Sequence, residues 1–176
     1  MMFRLGWGIL VCLFLALAAG CYHLRLEPAT LPVQRAVTAR AAADVFDRVR
    51  DVLVQDGYAV ERAERRDNGE GGGITCGYRH FSTRAGGISQ PVGGRLYYHR
   101  LMITVNGGEE GAEILMESTG LEIRSSYVYE EGGAVRSFAK RYPYEQYPGM
   151  FDLKAVDREL ARVRGMLEAA LRQGER

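Results

Sequence analysis

The chain is expected to fold as an α+β two-layer sandwich, with an antiparallel sheet of about four or five strands and an N-terminal and a C-terminal helix packed on one face. Two observations predict this class. Apolar residues recur at helical spacing toward the start and at the end of the chain, and the long stretch between them alternates with period two. Glycine-rich punctuation separates the alternating segments, as expected of strands joined in sequence order.

The first helix is predicted over 39–55. Thr38 is placed to cap it, and Val45, Phe46, Val49, Val52 and Leu53 form its apolar stripe. Arg48, Arg50 and Asp51 take the other side, and Gly57 stands where a glycine commonly ends a helix. The period then changes. Tyr58 to Ala63 reads as a strand, and Asp67-Asn68-Gly69 with Gly71 to Gly73 supplies a turn. Ile74, Cys76, Tyr78 and His80 alternate against Thr75, Gly77, Arg79 and Phe81 in a second strand. Arg95 to Val105 forms a third, with Tyr97, His99, Leu101, Ile103 and Val105 on one face. Asn106-Gly107-Gly108 opens a tight connection to a fourth strand over 112–124. There Leu115, Leu121 and Ile123 are expected to share a face, interrupted by Glu117 and Thr119. The last helix has Asp152 as its cap and an unbroken stripe of Val156, Leu160, Val163, Leu167 and Leu171, which suits packing on a sheet.

Ahead of this domain lies a different kind of segment. Arg4 is followed by an uncharged run from Leu5 to Ala19, which is shorter than the roughly 20 residues a helix needs to cross a bilayer. Small residues close it in Leu17-Ala18-Ala19-Gly20-Cys21, the pattern of a secretory signal with its cleavage point. A cysteine directly after those small residues resembles the lipobox of bacterial lipoproteins. Ala18 departs from that family's commonest pattern, which has leucine there. The resemblance implies cleavage between Gly20 and Cys21, a diacylglyceryl group on the Cys21 sulfur, and usually an acyl chain on the new amine. It also implies residence in the cell envelope, and Tyr22 after the cysteine would favour the outer membrane of a Gram-negative cell. The chain then divides into a signal peptide at 1–20, a lipidated cysteine and tether at 21–37, and one α+β domain at 38–176. Pro28 and Pro32 interrupt the tether, which spans at most about 50 Å.

The pattern Gly57-Tyr58-Ala59-Val60 after a helix, then charged residues, a glycine-rich turn and Ile74-Thr75, resembles the small helix-grip domains of envelope lipoproteins. The C-subunit lipoprotein of the outer-membrane β-barrel assembly machinery is one such protein. This second resemblance covers 39–80 and the final helix, and it implies the fold more than any partner.

Composition limits the chemistry. Loss of residues 1–20 removes one basic residue, Arg4, and leaves 22 basic and 22 acidic residues in the mature chain. Such a balance gives no long-range field to draw nucleic acid or an anionic surface, so no nucleic-acid partner is expected. With Cys12 in the signal and Cys21 lipidated, Cys76 stands alone and no intramolecular disulfide is expected. No phosphate-cradling glycine motif, GxSxG elbow or HExxH pair occurs. His80 and His99 lie on strands expected to be neighbours, but ordinary packed histidines are the simpler reading, and no metal or other cofactor is expected beyond the covalent lipid. Cys76 and His80 are expected on one strand face about 13 Å apart, too far for a nucleophile and its base. Ser82, Ser89, Ser118, Ser125 and Ser126 have no base partner that spacing can assign.

One region stands apart. Five of the ten tyrosines fall between Tyr127 and Tyr147, with Arg136, Lys140 and Arg141 interleaved. Tyrosine and arginine pair a large contact area with a polar handle and are favoured at recognition surfaces. Tyr127, Tyr129, Arg136, Tyr142, Tyr144 and Tyr147 are therefore the candidate partner surface, set against a simpler reading in which the segment is a connection whose rings lie on the core. Together these features lead to the expectation of a non-enzymatic, membrane-anchored envelope lipoprotein that serves as an interaction or assembly module for another envelope protein. The alternative is a small envelope enzyme, or a binder of a glycan or small ligand, using residues 127–147.

Overall fold

A computed structural model describes residues 29–67, 69–84, 95–131 and 133–173, with backbone alone for 126–131 and 134–138. Cys21 and Gly20, with the rest of residues 1–28, lie outside the described residues. The elements in order are β1 (Val33–Thr38), α1 (Ala42–Gln55), β2 (Val60–Arg65), β3 (Gly71–Arg84), β4 (Arg95–Gly108), β5 (Gly111–Glu131), β6 (Ala134–Pro143), a 3₁₀ turn (Pro148–Met150) and α2 (Leu153–Arg172). The fold is α+β: an antiparallel sheet carries both helices. Among the described residues no helix is long and apolar enough to cross a membrane.

The sheet runs β1-β5-β4-β3-β2, and β6 also pairs with β5. The 21-residue β5 is long enough to take two partners along one edge. β1 pairs with Ala112–Glu117 and β6 with Glu122–Glu131, and Tyr144 N donates to Leu121 O at 2.9 Å in the gap between them. Neither β1 nor β6 was foreseen. Val33–Thr38, expected as the end of the tether, joins the sheet because Ala36 is buried while Val33, Arg35 and Val37 point outward, a short alternation that Pro32 hides. The sheet therefore takes in Val33–Thr38, ahead of the domain start expected at 38. Residues 134–143, expected as part of a connection, pair back on the extended end of β5 as a long hairpin.

Both helices bury the stripes expected of them, Val45, Phe46, Val49, Val52 and Leu53 from α1 and Val156, Leu160, Val163, Leu167 and Leu171 from α2. These meet Ile74, Leu101, Ile103, Val105, Ile114 and Met116 from the sheet in one core. Asp152 caps α2 by accepting from Lys154 N at 3.1 Å. Thr38 does not cap α1: the helix begins after Ala41, which has no side-chain cap, because Thr38 is held in β1 opposite Ala112.

Irregularities in the sheet reassign several side chains. β5 carries an extra residue between its pairings with Tyr98 and Arg100, and Gly120 sits there at φ +56°. A bulge of one residue shifts the two-residue alternation by one place. Ala112, Ile114, Met116 and Ser118 face the core before it, and Leu121, Ile123 and Ser125 after it. Leu115, expected beside Leu121 and Ile123, is therefore on the opposite face. β3 carries two extra residues, between Thr75 and Tyr78 and between His80 and Ser82. Cys76 consequently faces the core while Tyr78 and His80 turn away from it.

Candidate functional site

The sheet has a helix-covered face and a helix-free face, and the bulges decide which polar residues go to each. On the covered face His99 is fully buried, and its Nδ1 lies 2.7 Å from Ser118 Oγ. This is the contact distance of a base and a nucleophile, and Ser118 thus has the imidazole partner that spacing did not assign. Both groups are closed off, since Ser118 is also buried. His99 Nε2 finds no hydrogen-bond partner among the described residues. Phe81 and Tyr58 pack on the ring at centroid distances of 4.7 and 6.4 Å. Burial, the largest cause, pushes the His99 pKa down to about 4, so the ring is neutral near pH 7.

A chain of charged contacts runs beside this pair, beneath and along α2. Tyr58 Oη donates to Glu159 Oε1 at 2.8 Å, and Arg162 donates to both oxygens of Glu159 at 2.9 Å. Arg162 also donates to Asp56 Oδ2 at 2.9 Å, and Arg79 does so at 2.8 Å while lying 4.2 Å over the Tyr58 ring. Burial works against ionisation of Glu159 and Asp56. The hydrogen bonds from Arg162, with Tyr58 on Glu159 and Arg79 on Asp56, outweigh it and hold both carboxyls below their ordinary values. Burial, then Glu159, raises the Tyr58 pKa well above the usual phenol range. The network joins the end of α1, strand β3 and helix α2 into one fixed arrangement. Arg162 and Asp56 meet solvent at its outer end, while Tyr58 and Glu159 lie inside.

The helix-free face is built differently. Tyr98, Arg100 and Arg124 come from β4 and β5, Tyr78 and His80 from β3, and Glu61 from β2. Arg124 lies 4.0 Å from the Tyr98 ring centroid and 5.3 Å from that of Tyr78, and is paired with Glu122. Arg100 lies 5.7 Å from Tyr78 and is paired with Glu61. His80 tilts against Tyr98 at 5.4 Å, and its Nε2 is 2.9 Å from Thr83 Oγ1. These stacks fix the planes of the guanidinium and phenol groups while leaving them in contact with solvent: Tyr78 is 45% exposed. The row is absent from the sequence reading, because the residues that form it lie on four strands and reach one face only through the bulges. Gly120 was the available signal, since an isolated glycine within a strand pattern marks a bulge or a close approach.

The residues singled out by sequence are scattered. Tyr127, Tyr129 and Arg136 lie in the β5–β6 hairpin, where Tyr129 is paired in register with Arg136 and Tyr127 with Phe138; their side chains fall outside the described residues. Tyr142 is half-buried and meets Tyr147 edge-on at 5.3 Å, with Lys140 Nζ 4.9 Å from its ring. Tyr147 is on the surface. Tyr144 is withdrawn from any partner surface: it is 5% exposed, packs against Phe151 at 5.3 Å, and donates its hydroxyl to Ala29 O at 2.6 Å. It closes the gap between β1 and β6, which requires a buried ring.

His80 and His99 do not converge, since β3 and β4 present them on opposite faces. Among the described residues no group of three or more His, Cys, Asp or Glu stands close enough to hold a metal ion. Cys76 is buried, and burial, followed by Glu61, pushes its thiol up to about 11. An open cleft of about 640 Å³ occurs at the start of α1 and is lined by Ala41, Ala42, Glu70, Gly107, Glu109 and Glu110, with no aromatic or histidine side chain in its lining. Neither protein-family models nor curated protein sequences match this chain.

Proposed function

We propose that this chain is a lipid-anchored cell-envelope protein whose single α+β domain is a non-enzymatic interaction module. The lipobox ending in Cys21 supports the anchor, which ties the domain to the membrane through covalent lipid. The observation that carries the interaction reading is the helix-free sheet face. Its stacked Tyr78, Tyr98, Arg100 and Arg124 offer a pre-ordered contact surface, whereas the residue pair with catalytic geometry is shut beneath α2. Rigid aromatic and arginine anchors lose little conformational freedom when a partner covers them. Another envelope protein is the partner class this surface suits.

Two measurements test the parts separately. Cys21→Ala should block maturation or release the domain from the membrane fraction, and unaltered processing with full membrane retention would defeat the anchor. A photocrosslinking residue placed at Tyr98 should capture protein from intact envelopes, while the same probe at Val54, exposed on α1, should not. Equal capture at the two positions would remove the open face as the interaction surface. A small envelope enzyme is the second reading, favoured by the His99–Ser118 contact alone. Labelling of Ser118 by a fluorophosphonate in the folded protein would establish it.

A further inference from the structure

The strand edges of the described sheet are not alike. β2 carries Glu61, Arg62, Glu64 and Arg65 among its six residues, β3 is interrupted by a bulge between His80 and Ser82, and β6 carries Lys140 and Arg141 and ends in Pro143. Charged residues, bulges and proline keep an edge from pairing with another chain. β1 lacks such protection. Its register against β5 is unbroken over six pairs, from Val33 opposite Glu117 to Thr38 opposite Ala112. Its one charged residue, Arg35, is tied to Glu113 on the neighbouring strand. Val37, at 74% exposure, is the most exposed large apolar residue described, and Val33 follows at 50% on the same strand face. Among the described residues β5 is its strand neighbour on one side, and no backbone hydrogen bond reaches it from the other. Alternate residues of an antiparallel strand turn their N–H and C=O groups away from the partner, so the outer side of β1 presents a row of free donors and acceptors.

Beside that edge, β1 and the last turns of α2 part to leave a cleft of about 210 Å³, lined by Ala36, Val37, Thr38, Glu168, Leu171 and Arg172. Side-chain size opens it. Gln34 spans the gap between strand and helix, donating to Asp157 Oδ1 at 2.8 Å and accepting from Arg164 at 2.8 Å. Two residues on, Ala36 has only a methyl group, and the gap stays open beside Leu171. A cavity of about 150 Å³ admits benzene, and small-molecule sites start at about 300 Å³, so this cleft suits one aliphatic side chain. At its rim Glu168 is paired with Arg164, whereas Arg172 is exposed and, among the described residues, in no ion pair.

We infer that β1 accepts an extended segment of another polypeptide as an added strand, with an aliphatic side chain in this cleft and a carboxylate on Arg172. The free edge supplies main-chain hydrogen bonds, the cleft reads one side chain, and Arg172 selects an acidic residue two places away on the same face. The added strand also covers Val33 and Val37. In the order β1-β5-β4 this edge is two strands from Tyr98, so it is separate from the surface proposed above, and either can fail alone.

The test uses the full chain in detergent and the peptide acetyl-Thr-Glu-Thr-Leu-Thr-Glu-Thr-amide. Its sequence reads the same in both directions, so one glutamate meets Arg172 whichever way the strand runs. Bound peptide should slow amide hydrogen exchange within Val33–Thr38 and leave Val60–Arg65 unchanged. N-methylation of the leucine and glutamate amides and N-methylation of the threonine amides should differ. The set that faces β1 should weaken binding about tenfold or more when methylated, and the other set should not. Serine in place of the peptide's leucine should also weaken binding about tenfold. Lysine in place of the glutamates should weaken it about threefold, a preference that Arg172→Gln removes. Val37→Lys puts a charge on the edge and should weaken binding, whereas Ala63→Lys on β2 should not. Equal loss from the two methylated sets, equal protection of β1 and β2, or no binding of the peptide would overturn the inference. Dimerisation that protects the same amides without peptide, and is lost in Val37→Lys, would also overturn it and assign the edge to a second copy of this chain.

Discussion

The two faces of the sheet use the same side chains to opposite ends. On the covered face, Tyr58, Arg79, Arg162, Glu159 and His99 are locked by α2 into mutual contacts. On the free face, Tyr78, Tyr98, Arg100, Arg124 and Glu61 make contacts of the same kinds but stay partly in water. Desolvation of Tyr58, His99 and Glu159 is the difference, since Arg162 itself reaches solvent. A buried polar group without its partner costs far more than an exposed one, so the contacts of these three groups matter most to folding and those on the free face are available for binding.

The largest expected effect follows from breaking the covered network. Glu159→Ala leaves the buried Tyr58 hydroxyl without its acceptor and Arg162 with Asp56 alone, and should cost about 3 kcal/mol in urea unfolding. A loss under about 1 kcal/mol would mean that water replaces the carboxylate and that the two faces are alike. Next is the pH response of His99, whose folded pKa of about 4 lies below the ordinary 6.5. Below pH 6.5 the unfolded chain takes up a proton that the folded ring refuses, so this contribution is complete above pH 6.5 and is lost as pH falls toward 4. The loss should reach roughly 2 kcal/mol by pH 5. His99→Gln should flatten that part of the stability profile, and an unchanged profile would contradict a buried neutral ring.

A smaller effect is expected where the faces exchange residues. Gly120→Ala puts a side chain at φ +56° and 2.8 Å from Tyr78 Oη, and should destabilise by about 1–2 kcal/mol. Loss of crosslinking from a probe at Tyr98 in that variant, with the fold retained, would tie the bulge to the open face. The smallest stability effect belongs to the free face itself. Tyr98→Ser should shift unfolding by less than about 1 kcal/mol yet reduce crosslinking from a neighbouring probe at Tyr78. A large destabilisation with crosslinking intact would reverse the assignment of roles.

Much of this arrangement follows from local periodicity. The stripes Val45–Leu53 and Val156–Leu171 and the alternation Tyr97–Val105 are repeats within single elements, so their helical or strand character and their buried faces are legible residue by residue. β1 and β6 were not legible because six and ten residues flanked by prolines or charges gain their identity from the exposed edge of β5. The candidate site was harder still. Ser118 continues the core-facing alternation of Ile114 and Met116, and the added residue at Gly120 hides this by turning Leu121 and Ile123 to the same face.

By itself the sequence determined the α+β class, the two amphipathic helices and the central strands, since each depends on residues adjacent in the chain. Tertiary structure alone decided which face each tyrosine, arginine and histidine occupies. A one-residue bulge inverts every side chain beyond it, and no periodic pattern records where the inversion falls.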